Sequence, residues 1–488
     1  MVAHGNEKKE GTESPSVESG ACLDAGARKR GAYICFGVYV PCADKVWLVG
    51  SFNDWEERNL MKNDGHGMWR ISVSQEEIPY GTAYKYKIYA GGEVEYIPDP
   101  YAVETDGEPY HNSVYRDTSG KARRFCEEAP RCLSENAPLS IYKLRLDGWL
   151  CDKNGVAPDY VSLARELLPY ILQMGYTHIA ISGMTERYYD LGKTDITDAS
   201  FVVRSRQGGA DFLSEFARIV SSADIGIFVE MSFDKTFGDD GIDLAFHTDN
   251  ALYWLEQCFA EGILIDKKCA RQEEFLTKLV HNIKVKRDCA RIVAFSECVA
   301  NGKPADICVG CPTDYMPLFR RAKSPEDDMY ARAEAMTCLL LGDGKMITPM
   351  GDELMQSSDS GEVFDAELQD ETSRAYFQLF CSELNAVYSD NSCFLGASQN
   401  SGTPSPHDGY ICIRKSTDDE ETAVFADTSG RGAEIHVGEG GWHLILDSRR
   451  VLGSDECAAT LRCAEMTVLQ LPAYGAAVLK KEKTVKYI

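Results

Sequence analysis

The fold class follows from one stretch of the chain, residues 139–182, which reads LSIYKLRLDGWLCDKNGVAPDYVSLARELLPYILQMGYTHIAIS. Short apolar runs at Ser140–Leu146 and His178–Ser182 have the length and composition of buried strands. Between them, apolar residues recur at helical spacing, and they are Leu163, Leu167, Ile171 and Leu172. A strand, a helix and a strand in this order form a βα unit, which predicts a parallel sheet with helices packed against it.

The same alternation of short apolar runs and helical patterns continues to about residue 349. Five further strand candidates follow the first two: Gly226–Met231, Ile263–Asp266, Ile292–Phe295, Ile307–Gly310 and Met346–Thr348. The seven candidates together are one fewer than the eight parallel strands of a closed (β/α)8 barrel. We therefore predict a (β/α)8-type barrel in a shortened form, and the sequence leaves open whether it is complete.

Short strand patterns without helices flank this region on both sides. Residues 31–117 contain β-branched and aromatic segments such as Val46–Gly50, Met68–Val73 and Tyr84–Tyr89, separated by Gly, Asn and Asp. After about residue 391 the same kind of pattern returns, with Gly-rich turns. Each of the two regions predicts a β-sandwich.

These patterns together predict a multidomain α/β protein. With 488 residues the chain is long enough for two or three domains. Its predicted parts are a disordered tail at 1–30, an N-terminal β-sandwich at 31–117, a charged linker at 118–137, the central barrel at 138–390 and a C-terminal β-sandwich at 391–488.

Composition and charge exclude several classes of partner. The formal net charge of −25 is unfavourable for nucleic acids and anionic membranes, because both are bound by clustered Lys and Arg. No apolar run reaches the ~18 residues of a membrane-spanning helix, and residues 1–30 lack the apolar segment of a secretory signal. We therefore expect a cytoplasmic protein whose 18 cysteines are free thiols.

One cysteine pair, Cys308 and Cys311, has the spacing used in zinc and redox sites. A zinc site needs a second pair of ligands at similar spacing, and the sequence shows none. We therefore expect neither a metal nor a cofactor.

Three short motifs lie in order within the first β region. They are GSFNDW at residues 50–55, YKY at 84–86 and DPY at 99–101. Together they resemble the family 48 carbohydrate-binding module. The resemblance implies that Trp55 stacks on a sugar ring and that Lys85 and Asn112 bind its hydroxyl groups.

The other tryptophans of this region are expected to contribute less to binding. The second tryptophan of the best-binding modules is missing, since residues 91–94 read GGEV. Trp47 and Trp69 lie in strand patterns, and we expect both in the core.

Five segments of the barrel region occur in the order found in branching enzymes. They read PLSIY at 138–142, LPY at 168–170, MGYTH at 174–178, NALYWLE at 250–256 and PMGDE at 349–353. With the module, they make the chain from residue 31 onward resemble a divergent 1,4-α-glucan (glycogen) branching enzyme. These enzymes belong to the α-amylase superfamily, glycoside hydrolase family 13.

The resemblance implies a retaining glycosyl-transfer site at the carboxyl ends of the barrel strands. Such a site uses a carboxylate nucleophile and a carboxylic acid about 5 Å apart, and this superfamily adds a third acidic residue, an Arg and two His. By resemblance the nucleophile is Asp266, but Leu264 replaces the Arg that would orient it. The acid position aligns with Phe295, and Glu297, two residues on, would face the same side of the strand.

The remaining positions of the site are also substituted. Asp314 matches the third carboxylate if Pro312-Thr313-Asp314 corresponds to the family's Ser-His-Asp, and Thr313 then replaces one His. Three further substitutions are Glu230 in place of an Asp, Lys235 in place of the other His and Lys193 in place of the aromatic ring beside the sugar. The candidate catalytic residues are therefore Asp266, Glu297 and Asp314.

We interpret the chain as a branching-enzyme-like protein of glycogen or α-glucan metabolism with a degenerate, inactive catalytic site. It would bind α-1,4-glucan or an active glucan-metabolising partner enzyme. Two alternatives stay open. One is an active branching enzyme that forms α-1,6 branches through a glycosyl-Asp266 intermediate, and the other is a non-enzymatic interaction scaffold.

Overall fold

The structure is a computed structural model. It describes residues 25–107, 110–116, 138–151, 155–185, 200–233, 237–266, 269, 273–295, 305–312, 325–343, 345–356, 364, 371–395, 405–407, 409–463 and 466–482. None of the helices within these ranges is long and apolar enough to cross a membrane. The predicted linker at 118–137 lies outside them.

The N-terminal region is a sandwich of two antiparallel sheets. Its strands are β1 (Gly26–Arg30), β2 (Tyr33–Tyr39), β3 (Lys45–Gly50), β4 (Asn59–Leu60), β5 (Lys62–Asn63), β6 (Met68–Ser74), β7 (Ala83–Ala90), β8 (Glu93–Ile97) and β9 (Ser113–Val114). One sheet has the order β1-β2-β6-β5 and the other β4-β3-β7-β8, with β9 beside β7. Tyr84, Tyr86 and Ile88 are buried between the sheets, so Lys85 and Lys87 face outward.

The sandwich begins earlier than predicted, because β1 starts at Gly26. The assignment of residues 26–30 to a disordered tail is therefore wrong. β1 is an edge strand with Lys29 and Arg30 exposed, and this run of cations conceals the strand pattern in the sequence.

Seven parallel strands form the barrel within the described residues. They are β10 (Leu139–Arg145), β11 (His178–Ser182), β12 (Gly226–Met231), β13 (Gly262–Ile265), β14 (Arg291–Phe295), β15 (Ile307–Val309) and β16 (Lys345–Pro349). Their order is β15-β14-β13-β12-β11-β10-β16, and a parallel bridge between Gly310 and Met346 joins the two ends. The seven predicted strands are confirmed, and together they make a nearly closed ring.

Helices surround this ring on the outside. They are α1 (Tyr160–Met174), α2 (Gly209–Ser222), α3 (Asp240–Gln257), α4 (Glu273–Lys286), α5 (Pro325–Asp343) and α6 (Thr372–Asp390). The carboxylate of Asp159 caps α1 by accepting from the N–H groups of Val161 and Ser162. Gly175 ends the helix in the left-handed conformation, with φ of 73°.

One residue of the predicted α1 stripe lies on the wrong face. Leu163, Leu167 and Ile171 are buried against the barrel, whereas Leu172 is 51% exposed. Leu172 follows Leu163 by two and a half helical turns, which places it about 180° around the helix. The apolar stripe of α1 therefore continues from Ile171 to the buried Met174 and does not include Leu172.

Side chains that point into the barrel form an apolar layer. Strand register and alternation place one residue of each strand in it: Ile141, Ala180, Phe228, Leu264, Val293, Val309 and Ile347. All of them are buried. The barrel is thus a filled core, and its carboxyl end is the part that could carry chemistry.

The C-terminal region consists of two antiparallel sheets. Their strands are β17 (Ser405–His407), β18 (Tyr410–Ser416), β19 (Glu420–Asp427), β20 (Ala433–Glu439), β21 (His443–Asp447), β22 (Ala459–Cys463), β23 (Met466–Leu471) and β24 (Ala476–Glu482), with the short helix α7 (Ser448–Val451). The sheets have the orders β17-β18-β19-β24-β21 and β20-β23-β22. The predicted fold class of sandwich, barrel and sandwich is confirmed.

A buried carboxyl group ties the barrel to α1. Glu353 follows β16, is fully buried, and accepts hydrogen bonds from the hydroxyls of Tyr142 at 2.8 Å and Tyr170 at 2.6 Å. Burial raises the pKa of Glu353 from 4.5 to about 7, against the opposing effect of the two tyrosines. The folded protein therefore favours the protonated form. This favourable contribution is complete below pH 4.5 and is lost as the pH rises through about 7.

The variant Glu353→Gln keeps an acceptor for the tyrosines but cannot ionise. Wild type should lose stability between pH 5 and pH 8, on the order of 2–3 kcal/mol, and Glu353→Gln should lose much less. Thermal unfolding at the two pH values measures the difference. Glu383→Gln, an exposed site on α6, is the control and should retain the wild-type pH dependence. Equal pH dependence in wild type and Glu353→Gln would contradict the assignment.

Candidate functional site

The carboxyl end of the barrel interior holds an ion pair. Lys143 of β10 and Glu230 of β12 both point inward above the apolar layer, and Nζ of Lys143 lies 2.6 Å from Oε1 of Glu230. The Lys143 ammonium also lies 5.7 Å from the ring centre of Phe295. The side chain of Glu230 is 7% exposed. Burial raises the pKa of Glu230, as does the charge of Asp266, while Lys143 opposes the rise.

A second group of charges lies at the rim of the barrel. Asp147 accepts from Arg145 at 2.8 Å, and Nη2 of Arg204 lies 3.0 Å from the same carboxylate oxygen. Gly183 allows this arrangement, because it has φ of 75° and a Cβ there would lie 2.0 Å from the Asp147 carboxylate. The described part of the barrel mouth thus contains cations paired with carboxylates.

The structure places only part of the predicted catalytic set. Asp266 directly follows β13 and is half-buried, and its N–H donates to the carbonyl of Met231 at 2.9 Å. Leu264 belongs to the apolar layer, and Phe295 is 2% exposed at the end of β14. Five residues lie outside the described ranges: Glu297, Asp314, Thr313, Lys193 and Lys235.

Metal binding has no support in the described part of the chain. No group of three or more His, Cys, Asp and Glu residues there could hold a metal ion. Cys308 and Cys311 are both free thiols, and Cys311 packs in the apolar interior of the barrel.

The outer face of the second N-terminal sheet carries aromatic and cationic side chains. Strand register places Leu60, Trp47, Lys87 and Tyr96 in one row across β4, β3, β7 and β8. Tyr96 is 42% exposed. The sequence analysis did not single out Tyr96. Because side chains of a strand alternate between its two faces, the strand pattern of β8 could have indicated that Tyr96 faces outward.

The two strand tryptophans differ in position. Trp69 is 6% exposed and lies in the core between the sheets, as expected. The expectation that Trp47 is also in the core is wrong. Its neighbours Val46 and Leu48 fill the core, so alternation turns Trp47 to the outer face, where it is half-buried.

Trp55 lies in a turn with unusual backbone geometry. Asp54 and Trp55 have φ of 56° and 61°, a left-handed region that non-glycine residues seldom adopt. The buried Asn53 side chain holds the start of the turn by accepting from Gly50 N–H at 2.9 Å and donating to Leu48 O at 3.0 Å. Trp55 is 37% exposed, so its side chain is partly accessible to a ligand.

Lys85 and Asn112, the two predicted polar contacts of the module, differ in burial and in hydrogen-bond partners. Nζ of Lys85 donates to the carbonyl of Tyr110 at 2.5 Å, and burial lowers the pKa of Lys85. Asn112 is 8% exposed, and its amide donates to Asp106 at 2.6 Å. The Asn112 amide thus closes its own loop and is engaged within the module. Tyr110 is 69% exposed beside Lys85.

Residues 24–102 match the model of carbohydrate-binding module 48, the isoamylase N-terminal domain. The chain is 28% identical to the 1,4-alpha-glucan branching enzyme GlgB of Lactiplantibacillus plantarum, over 47% of this chain and 42% of that protein. It is 31% identical to GlgB 2 of Xanthomonas campestris, over 45% of this chain and 30% of that protein. The chain thus spans less than half the length of these curated relatives.

Solved structures show the same architecture. A pullulanase from Anoxybacillus sp. LM18-11 complexed with maltotetraose has a TM-score of 0.71 at 14% identity, covering 94% of this chain and 87% of that one. A putative alpha amylase from Salmonella typhimurium has a TM-score of 0.64 at 11% identity, covering 94% and 100%. At these identities the likeness concerns the fold alone.

Taken together, the matches define an α-amylase-type fold with an N-terminal family 48 carbohydrate-binding module. Within that class, the chain is similar in sequence to 1,4-α-glucan branching enzymes over about half of its length. The resemblance inferred from the motifs is confirmed.

Proposed function

We propose that this chain binds α-1,4-glucan through the outer face of its N-terminal module and carries out no glycosyl transfer in its barrel. The observation that most supports binding is the exposed Trp55, held in a left-handed turn on a segment that matches a carbohydrate-binding module. Strained backbone of this kind concentrates where a side chain must be presented to a ligand.

The chemistry of this face suits a neutral sugar polymer. Aromatic rings stack on the apolar faces of sugars, while polar side chains bind the hydroxyl groups. Trp55 and Tyr96 supply exposed rings, and Lys85 supplies a donor on the same face of β7 as Lys87. An uncharged glucan is also compatible with a net charge of −25.

The barrel mouth supports the second half of the proposal. A retaining site needs a free carboxylate nucleophile and a proton donor about 5 Å apart. Here Glu230 is neutralised by Lys143, and Leu264 offers no guanidinium to orient Asp266. Phe295 has no proton to give, and loss of a general acid alone typically costs roughly 10²–10⁴ in rate.

The variant Trp55→Ala tests the binding surface. Losing a stacked ring should cost about 1.5–3 kcal/mol, or roughly ten- to a hundredfold in affinity. We expect wild type to be retarded in a native gel containing glycogen and Trp55→Ala to migrate nearly freely, with unchanged thermal unfolding. Tyr33→Ala removes a more exposed ring, 56% against 37% for Trp55, from the other sheet and should migrate like wild type.

Two results would contradict the binding proposal. If glycogen does not retard wild type, the chain does not bind this glucan. A non-enzymatic interaction scaffold, or a protein that binds only a partner enzyme, would then be favoured. Trp55→Ala that is retarded as strongly as wild type would move the binding surface elsewhere.

The absence of transfer is tested by the iodine absorption of amylose. Wild type should leave the spectrum unchanged, and Phe295→Glu alone should not restore activity, because groups of one catalytic unit are not additive. Asp266→Asn should leave stability and glycogen retardation nearly unchanged. A spectral shift produced by wild type and abolished by Asp266→Asn would establish an active branching enzyme instead.

A further inference from the structure

Glu57 reaches across a strand of the N-terminal sheet. It lies in the turn just before β4, which pairs with β3, and β3 in turn pairs with β7. Its Oε1 nevertheless accepts a hydrogen bond from the hydroxyl of Tyr89 and lies 2.5 Å from Nζ of Lys87, both on β7. The turn that carries Trp55 therefore folds over β3 and is attached to the strand beyond it.

The other charged contacts of this turn stay within it. Arg58 lies 2.7 Å from Glu56 and 3.6 Å from Asp54, so these ion pairs do not set the position of the turn on the sheet. Asn53 anchors the start of the turn to Gly50 and Leu48, and its amide also donates at 2.8 Å to Oδ1 of Asn59 on β4. Asp54 and Trp55, which both have left-handed backbone conformations, lie between these anchors, and Glu57 adds a contact from the turn to β7.

The contact between Glu57 and Lys87 also helps to position Tyr96, the second exposed ring on the outer face of this sheet. Lys87 lies 5.3 Å from the ring centre of Tyr96 and 5.5 Å from that of Tyr89, within cation–π distance of both. Its side chain is only 17% exposed. An isolated surface ion pair contributes little, but this carboxylate connects the turn of Trp55, the cation and Tyr96.

We infer that Glu57 is the positioning residue of the glucan surface, holding Trp55 and Tyr96 as one preformed platform for a linear α-1,4-linked oligosaccharide. This inference rests on the proposed function. A side chain that touches no sugar can still raise affinity, because a preformed surface loses less conformational freedom on binding. A ligand gains affinity from this platform only if it is long enough to contact both the turn of Trp55 and the β7–β8 hairpin.

The experiment measures the affinity of the full chain for maltoheptaose by isothermal titration calorimetry. Glu57→Ala should weaken binding by about tenfold. The matched control is Glu56→Ala, which removes the neighbouring carboxylate that pairs with Arg58 inside the turn, and it should bind as wild type does. Glu57→Lys and Lys87→Glu should each weaken binding. The double variant Glu57→Lys/Lys87→Glu, which restores an ion pair between the turn and β7 but not the cation–π contact with Tyr96, should recover part of the affinity that each single variant loses.

The outcomes separate this inference from the proposed function. If wild type binds maltoheptaose and Trp55→Ala does not, but Glu57→Ala binds as wild type does, the positioning role is wrong and the glucan surface stands. A double variant no better than its single parents likewise overturns the positioning role. Wild type that binds no maltoheptaose overturns the proposed function, and the positioning role with it.

Discussion

The ion pair between Lys143 and Glu230 constrains the carboxyl end of the barrel interior. Both groups lie above an apolar layer that includes Ile141 and Phe228, and the Glu230 side chain is 7% exposed. Desolvating two charges costs several kcal/mol per ion unless they are paired. Removing one partner would leave the other uncompensated, a loss of about 3–5 kcal/mol. Each residue of the pair thus depends on the other.

Under the proposed function, this arrangement would take the place of a site for glycosyl transfer. A transfer site keeps its carboxylates available to the substrate, one as nucleophile and one as proton donor. In this barrel the inward carboxylate of Glu230 is engaged by an ammonium, and the rim carboxylate of Asp147 by two guanidinium groups. Within the described residues, these carboxylates of the barrel mouth are paired with cations.

The N-terminal module is fixed to the barrel by aromatic packing. Tyr101 of the module stacks on Phe201 at 5.5 Å and meets Phe246 of α3 edge-on at 5.1 Å. The preceding Asp99 is buried and accepts from the hydroxyls of Tyr84 and Tyr86. The outer face of the second sheet therefore has a fixed position on the barrel.

Much of the fold could be predicted from local patterns. The barrel strands are short apolar runs set between helical stripes, and burial on both faces makes such runs easy to find. The predictions were wrong where packing against neighbouring segments determines which way a side chain faces or whether a strand forms. Leu172 was assigned to the wrong face of α1, Trp47 turned out to face outward, and the cations of β1 concealed an edge strand.

The site was less predictable, because its contacts join distant segments. Lys143 lies on β10 and Glu230 on β12, two strands that are far apart in the sequence. They come together because both strands pair with β11 in the sheet. Glu57 meets Lys87 only because its turn folds over β3. The resemblance identified Trp55, Lys85 and the substitutions of the catalytic positions, whereas these ion pairs required the structure.

The central claim is that glucan binds the module and not the barrel, and hydrogen exchange with and without maltoheptaose tests it most directly. Backbone amides bound by a ligand exchange more slowly. The account predicts slower exchange in residues 50–60 and 84–97, with no change in residues 226–233 and 262–266 at the barrel mouth. Protection at the barrel mouth, with none in the module, would contradict it.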